Sequence, residues 1–344
     1  MLTFEKIGGG AVTGCRLQSW QRGWLPGVST GPRSPARQKA RAVIVKVFIT
    51  GGTGFVGTFL SRELAQEGHA ITILSRKAQP PAPASAGISF LTGDPTQAGP
   101  WMAAVPEHDW IINLAGASIF TRWSEAHKKE IFESRVSTTR NLVTALAAGD
   151  RRQLFCSTSA VGYYGPRGEE VLTEDSPPDA GFLGELAKAW EAEAMKAQDL
   201  GVRVVITRFG IVLGRDGGAL GQMVPLFKKF LGGSIGSGVQ WFSWIHQADH
   251  ARAFRFIQAH PEISGPVNLT APYPVRNRDL TRALGRVLHR PTLFTSPEFM
   301  VRLALGEFAD TLLTGQQVLP KRLVDAGFTF NFPTIETALK NLLG

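Results

Sequence analysis

Short apolar segments rich in β-branched residues alternate along the chain with segments of helical periodicity. The first apolar segment covers residues 43–49, and the first helical segment covers residues 55–67, with Leu60 and Leu64 on one face. The later apolar segments are residues 71–74, 88–91, 110–114, 154–156, 202–207 and 267–269. Strands that alternate with helices predict an α/β fold, a doubly wound parallel sheet with helices on both faces.

The pattern loosens after residue 208. Glycine-rich segments at 214–221 and 232–238 predict a flexible loop and a turn region, 241–245 predicts an aromatic strand, and helical periodicity dominates from residue 277 onward. The Pro/Ala-rich segment 79–87 predicts a surface loop.

These changes of pattern divide the chain into three parts. We predict a basic extension at 1–45, a Rossmann-like nucleotide-binding domain at 46–213, and a smaller C-terminal substrate lobe at 214–247 and 271–344. Residues 248–270 would return to the nucleotide-binding domain as its last helix and strand. The lobe would cover the carboxyl ends of the sheet, where α/β folds bind ligands.

The net charge of +9 is concentrated at the start of the chain, where residues 1–46 hold eight Lys or Arg and one acid. The remaining residues carry only +2, so no basic groove for nucleic acid is expected. The first 42 residues are rich in Gly, Arg, Ser and Pro, which predicts a disordered extension or an organelle transit peptide. A solvated tail or an upstream start codon fits equally well.

Two bulk features bear on location. No run of 18 apolar residues lacks charge, so we expect no membrane span and no membrane partner. The two cysteines, Cys15 and Cys156, are too few for a disulfide framework, which favours a reducing compartment. We therefore expect a cytoplasmic protein, or an imported one if residues 1–42 are a transit peptide, acting as a monomer or homodimer on a small molecule.

The glycines after the first apolar segment carry the main chemical prediction. They fit G-x-G-x-x-G at residues 52, 54 and 57, and T-G-x-x-G-x-x-G at residues 50, 51, 54 and 57. Such glycines allow a tight turn, close approach of the backbone to phosphates, and close packing of helix and strand. We predict a dinucleotide diphosphate at the turn, held by Gly51, Gly54 and Gly57 and by the helix start at Phe55 and Val56.

The end of the second predicted strand indicates which dinucleotide is bound. An NAD site usually has an acidic residue here, on the ribose 2′-hydroxyl. This chain has Ser75, Arg76 and Lys77 and no acid, a set that suits a 2′-phosphate. NADP(H) is the predicted cofactor, and a basic surface turn is the alternative.

Further motifs follow the later strands. They are NLAGA at 113–117, STSAVGYYG at 157–165 and RFGIVLG at 208–214. With the glycine turn they resemble the extended short-chain dehydrogenase/reductase superfamily. More narrowly, RW at 122–123, WE at 190–191 and the GSG and WIH segments at 236–246 resemble its atypical epimerase-family branch. APYPVRN at 271–277 and LPKR at 319–322 extend the resemblance over residues 46–344.

The resemblance implies roles for residues outside the glycine turn. Ser75 and Arg76 would hold the 2′-phosphate. The residues that would pass beside the ribose are Leu114, Ala115 and Gly116. Glu130 and Arg135 resemble a pair that closes over the cofactor, the alternative being ordinary exposed charges. Leu213 would reach the nicotinamide side, the alternative being core packing.

The chain departs from the superfamily in its catalytic residues. Superfamily enzymes use a Ser or Thr with Y-x-x-x-K, in which the lysine helps the tyrosine to exchange a proton near neutral pH. The residues four positions after the three tyrosines are Arg167, Gly168 and Asn277, so the motif is absent. Lys188 on the expected helix would bridge ribose hydroxyls or lie exposed.

A hydroxyl and a phenol remain as candidate catalytic groups. Ser159, or Thr158, stands where a hydroxyl would polarise a carbonyl. Tyr163 lies four residues beyond Ser159 and could supply a replacement phenol, the alternative being a loop tyrosine packed on the lobe.

His246, Asp249 and His250 are close enough in sequence to suggest a metal site. The spacing lacks the glutamate of a helical H-E-x-x-H motif, so we expect no metal and favour a capping or substrate-lobe role.

Two functions fit these residues. The first is an NADP(H)-dependent oxidoreductase or epimerase-like enzyme that acts on a small polar carbonyl or hydroxyl compound. The alternative is a non-catalytic NADP(H)-binding sensor or regulatory protein, which the missing Tyr–Lys pair favours.

Overall fold

Strands and helices alternate through the first two thirds of the computed structural model, which describes residues 44–77, 87–149 and 153–344. The strands are β1 (Lys46–Thr50), β2 (Ala70–Ser75), β3 (Ile88–Thr92), β4 (Trp110–Asn113), β5 (Leu154–Ala160), β6 (Val171–Leu172), β7 (Arg203–Phe209), β8 (Ile211–Gly214), β9 (Gly233–Ile235), β10 (Trp241–Phe242), β11 (Trp244–His246), β12 (Gly265–Leu269), β13 (Val275–Arg276), β14 (Phe294–Ser296) and β15 (Gln317–Val318). The helices are α1 (Phe55–Gln66), α2 (Glu125–Leu146), α3 (Phe182–Met195), α4 (Gly218–Lys228), α5 (Gln247–Ala259), α6 (Asn277–Leu288), α7 (Glu298–Leu305), α8 (Phe308–Leu313), α9 (Lys321–Asp325) and α10 (Ile335–Leu343). Short 3₁₀ turns lie at Pro100–Glu107, Val161–Tyr164 and Lys196–Leu200.

Seven of the described strands form one parallel sheet in the order β12-β7-β5-β4-β1-β2-β3. The chain builds outward from β1 through β2 to β3 and then crosses back to β4 on the other side of β1. The strand order therefore reverses between β1 and β4, and in such sheets ligands usually bind at the carboxyl ends of the strands at this point. The predicted doubly wound α/β fold is confirmed.

Alternate residues of the central strands pack into two cores, one on each face of the sheet. Ile49 of β1 packs with Leu60 of α1 and Phe254 of α5. Its neighbour Phe48 packs on the other face with Leu142 of α2. Strands buried on both faces require continuous apolar sequence. For this reason the strand segments can be recognised in the amino-acid sequence.

The predicted single strand at 241–245 is wrong. Trp241–Phe242 pairs antiparallel with β13, whereas Trp244–His246 pairs parallel with β8. Ser243 separates them because its buried hydroxyl donates to the Gln316 carbonyl at 2.7 Å and accepts from the Val318 amide at 3.0 Å. These two long-range hydrogen bonds hold Ser243 at the point where the chain passes from one small sheet to the other.

The two predicted loops have different outcomes in the structure. The flexible loop expected at 214–221 is partly helical, since α4 begins at Gly218. The surface loop expected at 79–87 lies outside the described residues apart from residue 87, and the basic extension lies outside them up to residue 43.

The C-terminal part has a core of its own. Leu220 of α4, Trp244 of β11, Leu284 of α6 and Leu339 of α10 pack together there. The described residues from 44 to 344 nevertheless form one compact unit, so the division into two lobes remains a prediction. Within the described ranges, no helix is long and apolar enough to cross a membrane.

We expect Gly57→Ala to destabilise the protein by roughly 1–3 kcal/mol, the usual range for overpacking. A Cβ at Gly57 would lie 2.3 Å from the Gly51 carbonyl oxygen and 2.6 Å from the Gly52 Cα, and neither backbone atom can move aside freely. The matched control is Gly221→Ala in α4, where a Cβ meets nothing within 4 Å. Alanine there should be neutral or stabilising by about 0.5–1 kcal/mol. Equal urea midpoints for the two variants would contradict the packing argument.

Candidate cofactor and active site

The glycine turn joins β1 to α1 through contacts that exclude a side chain. Gly51 has φ 70°, and a Cβ there would lie 2.6 Å from the Leu114 carbonyl carbon. Gly54 is the N-cap of α1 and has no side chain to satisfy the helix start. The amides of Phe55, Val56 and Gly57 have no acceptor within the described part of the chain. The turn therefore presents free N–H groups and the positive end of the helix dipole to an anion.

A buried polar bridge fixes the segment after β4 beside this turn. The Thr50 hydroxyl donates to the Asn113 side-chain oxygen at 2.7 Å, and the Asn113 amide nitrogen donates to the Thr139 hydroxyl at 2.9 Å. The Leu114 amide donates to the Thr50 carbonyl at 3.0 Å. The structure thus brings Leu114, Ala115 and Gly116 next to Gly51, where the resemblance puts the ribose side of the cofactor.

Ser75 and Arg76 lie at the carboxyl end of β2, the strand that pairs with β1. Ser75 is buried, and its hydroxyl accepts from the Lys77 amide at 3.2 Å. Arg76 and Lys77 are exposed. Two cations therefore stand beyond the strand next to the glycine turn, where the sequence predicts the 2′-phosphate.

The structure does not bring Glu130 and Arg135 together. Five residues apart on α2, they point about 140° apart around the helix. Glu130 contacts His127 at 3.1 Å and is largely exposed. Arg135 donates to the carbonyls of Ile131 and Ala117 at 3.0 and 3.1 Å.

Arg135 instead contacts the segment after β4, at Gly116 and Ala117. Its guanidinium lies 5.3 Å from the Trp190 ring centroid and would be 2.9 Å from a Cβ at Gly116. Burial without a described carboxylate partner lowers the pKa of Arg135 to about 10.

The Ser159 hydroxyl is not presented to solvent. Ser159 is fully buried, and its hydroxyl donates to Glu191 of α3 at 2.6 Å. Arg208 holds both oxygens of Glu191, each at 2.8 Å. The hydroxyl proton predicted to polarise a substrate is therefore committed to a carboxylate in this structure. The Thr158 hydroxyl, the alternative at this position, is buried and has no hydrogen-bond partner among the described residues.

The two tyrosines after β5 have different surroundings. The half-buried ring of Tyr163 lies 3.6 Å from the Arg208 guanidinium carbon. Tyr164 is fully buried, donates to the Asn268 side chain at 2.7 Å and accepts from Arg208 at 2.9 Å. Burial raises the pKa of Tyr164 to about 12. Tyr163 is thus the phenol nearer to solvent. Lys188 is exposed and pairs with Glu185 at 3.5 Å, as its alternative interpretation expected.

Sequence reasoning missed the buried network that contains Ser159. Its other members are Glu191, Arg208, Tyr164 and Asn268. The sequence does hold a signal for this network, because Arg208 lies near the end of an apolar strand and Glu191 follows apolar residues of a helix. A charged residue in such a position needs a buried partner.

Leu213 is fully buried in the C-terminal core with Leu220 and Trp244. This is the core packing given as the alternative at this position. A cofactor contact at Leu213 would have to come from its backbone.

The residues considered as a metal site have structural partners. Asp249 accepts from the Asn331 and Phe332 amides at 2.9 and 2.8 Å. His246 caps α5 by accepting from the Ala248 amide at 3.0 Å. His250 is buried, which lowers its pKa to about 3. In the part of the chain that the structure describes, no group of three His, Cys, Asp or Glu could hold a metal ion.

Comparison with known families decides the classification. The model of the NAD dependent epimerase/dehydratase family matches residues 47–269. The chain belongs to this family. The match begins at β1 and ends with β12, and therefore covers the whole seven-stranded sheet. A domain of unknown function, DUF1731, matches residues 296–342.

Relatives from three kingdoms support the family assignment. The Arabidopsis thaliana epimerase family protein SDR39U1 homolog, chloroplastic, is 40% identical over 303 residues, which are 86% of each chain. The Bacillus subtilis epimerase family protein YfhF is 38% identical over 301 residues, 87% of this chain and 98% of that protein. The crystal structure of human epimerase family protein SDR39U1 (isoform 2) with NADPH is 34% identical, with a TM-score of 0.76, over 87% of this chain and 99% of that chain.

We expect Glu191→Ala to cost about 3–5 kcal/mol of stability, because it leaves the buried Arg208 charge without a partner. The double variant Glu191→Ala/Arg208→Met should recover much of this loss. Urea unfolding of both single variants and the double variant measures the coupling. Strict additivity would show that the two side chains do not form a buried pair.

Stability should fall in acid partly through His250. Its folded pKa lies below its unfolded value, so only the unfolded chain takes up this proton as the pH drops from about 6.5 toward 3. His250→Phe should flatten the dependence of unfolding free energy on pH by at most one proton, about 1.4 kcal/mol per pH unit. Urea unfolding at pH 7, 6, 5 and 4 tests this, and identical slopes for variant and parent would refute it.

Proposed function

We propose that this chain binds NADP(H), with the diphosphate at the glycine turn and the 2′-phosphate at Ser75 and Arg76. The observation that carries the proposal is the set of free amides at the start of α1, held beside the segment after β4 by Gly51. The exposed Arg76 and the absence of an acid at the end of β2 support the phosphorylated cofactor. The human relative crystallised with NADPH supports the same choice.

The proposed reaction is oxidation or reduction of a small carbonyl or hydroxyl compound, or an epimerisation through such a step. A bound nicotinamide would supply hydride transfer. Tyr163, or a water, would exchange the proton on the substrate oxygen. Ser159 could polarise that oxygen only if its hydroxyl leaves Glu191, and the unpartnered Thr158 hydroxyl is the alternative.

Non-catalytic NADP(H) sensing is the rival, and the committed Ser159 hydroxyl is the observation that favours it. Rapid mixing of NADPH-loaded protein with aldehydes, ketones and quinones, followed by absorbance at the NADPH band, separates the two. Oxidation that is lost in Tyr163→Phe supports catalysis. Tight NADPH binding with no oxidation across the panel supports the sensor.

The location, oligomeric state and partners of the protein are also proposals. We infer a cytoplasmic location from the cysteine content, or import into an organelle if residues 1–42 act as a transit peptide. We infer a monomer or homodimer that takes a small-molecule substrate and binds no nucleic acid.

Arg76→Ala should weaken NADPH binding by at least about tenfold and change NADH affinity by less than about twofold, because charge-assisted hydrogen bonds to a phosphate contribute about 1.5–3 kcal/mol. Calorimetric titration with both coenzymes measures the difference. Arg62→Ala on the exposed side of α1 is the matched control and should bind both as the parent does. Equal losses of NADPH and NADH in Arg76→Ala would refute the 2′-phosphate assignment.

A further inference from the structure

Helix α7 has an apolar face that is exposed to solvent. None of its eight residues is buried, and Phe299, Met300 and Leu303 lie on one face with exposures of 70, 55 and 76%. Helices this short are not stable in water without packing, and contiguous exposed apolar surface usually marks a contact site. We therefore expect a ligand or another molecule to bind the face formed by these three residues.

The residues after α7 contact both α2 and the segment after β4. Glu307 pairs with Lys128 of α2 at 2.6 Å. The buried ring of Phe308 meets Phe120 edge-on, with centroids 5.7 Å apart, and lies 5.8 Å from Trp123. The same segment begins with the residues that border the glycine turn. The C-terminal end of α7 is thus tied to the border of the proposed cofactor site.

The aromatic contacts continue toward Tyr163. Trp123 packs edge-on against Phe182, the first residue of α3, at 5.2 Å. The next residue, Leu183, lies 3.4 Å from the position of a Cβ at Gly162, which directly precedes Tyr163. Phe120, Trp123, Phe182 and Phe308, which we call the aromatic cluster, therefore link the cofactor border to the candidate phenol.

Several charges at the rim of the aromatic cluster are paired. Lys128 contacts both Glu125 and Glu307, and Arg302 of α7 pairs with Asp310. Phe120 itself is 60% exposed. The surface beside the site therefore combines exposed apolar and aromatic side chains with the exposed cation of Arg122.

We propose that the substrate carries its carbonyl or hydroxyl on an aromatic or aliphatic body, which packs against Phe120 and the exposed face of α7. The inference rests on the proposed function and replaces the expected small polar compound with an amphipathic one. Continuity of α7 with the aromatic cluster favours a substrate over a second copy of the chain or a lipid surface as the occupant.

The test uses the full chain with saturating NADP⁺ and two probe aldehydes, 2-naphthaldehyde and glycolaldehyde, titrated by calorimetry. Naphthaldehyde should bind at least about tenfold more tightly, because it buries apolar area that glycolaldehyde lacks. The double variant Phe299→Ser/Leu303→Ser should weaken naphthaldehyde by at least about tenfold and leave NADPH affinity unchanged. Ile44→Ser is the matched control, since Ile44 is 68% exposed at the amino end of β1 and should not affect either probe.

Naphthaldehyde binding that is absent, or that survives the double variant, would overturn the inference. So would a dimer, or sedimentation with phosphatidylglycerol vesicles, that the double variant abolishes, because the face would then belong to another occupant. Failure of the parent protein to bind NADPH would refute the proposed function and, with it, the inference, whereas NADPH binding without the expected naphthaldehyde binding would refute the inference alone.

Discussion

The candidate site depends on a backbone contact that only glycine permits. Gly51 adopts φ 70° and lies against the Leu114 carbonyl, so the turn after β1 and the segment after β4 are nearly in contact. Gly57 lets α1 pack on the same turn. The result is a helix start with free amides at the point where the strand order reverses, and the Thr50–Asn113 bridge holds both sides in place.

A second, electrostatic constraint organises the region where the superfamily has its Tyr–Lys pair. Arg208 is only 3% exposed and is held by Glu191 of α3, while its other contacts reach Tyr163 and Tyr164. One buried cation thus joins β7, α3 and the turn after β5. Such a pair fixes geometry because loss of either partner leaves an uncompensated charge. Its consequence for chemistry is that Ser159 donates to a carboxylate, so any catalysis here differs from the usual arrangement of the superfamily.

The fold could be predicted from sequence because its determinants are local. Strands buried on both faces read as apolar runs, and the spacing of the glycines is recognisable within a few residues, although the contact of Gly51 with Leu114 is not. Features set by distant partners could not be predicted. Ser159 and Glu191 are 32 residues apart, and the break at Ser243 depends on carbonyl and amide groups more than 70 residues away. Leu213 illustrates the same limit, since only the packed C-terminal core shows that its side chain is enclosed.

The central claim is that the amides opening α1 bind the diphosphate of NADP(H), and amide NMR of the ¹⁵N-labelled protein tests it most directly. Addition of NADPH should shift the amide signals of Phe55, Val56 and Gly57 and slow their exchange with solvent, because each would gain an anionic acceptor. Signals of α10 at the far end of the chain should change little. Saturating NADPH that leaves these three amides unshifted and exchanging as before would contradict the account.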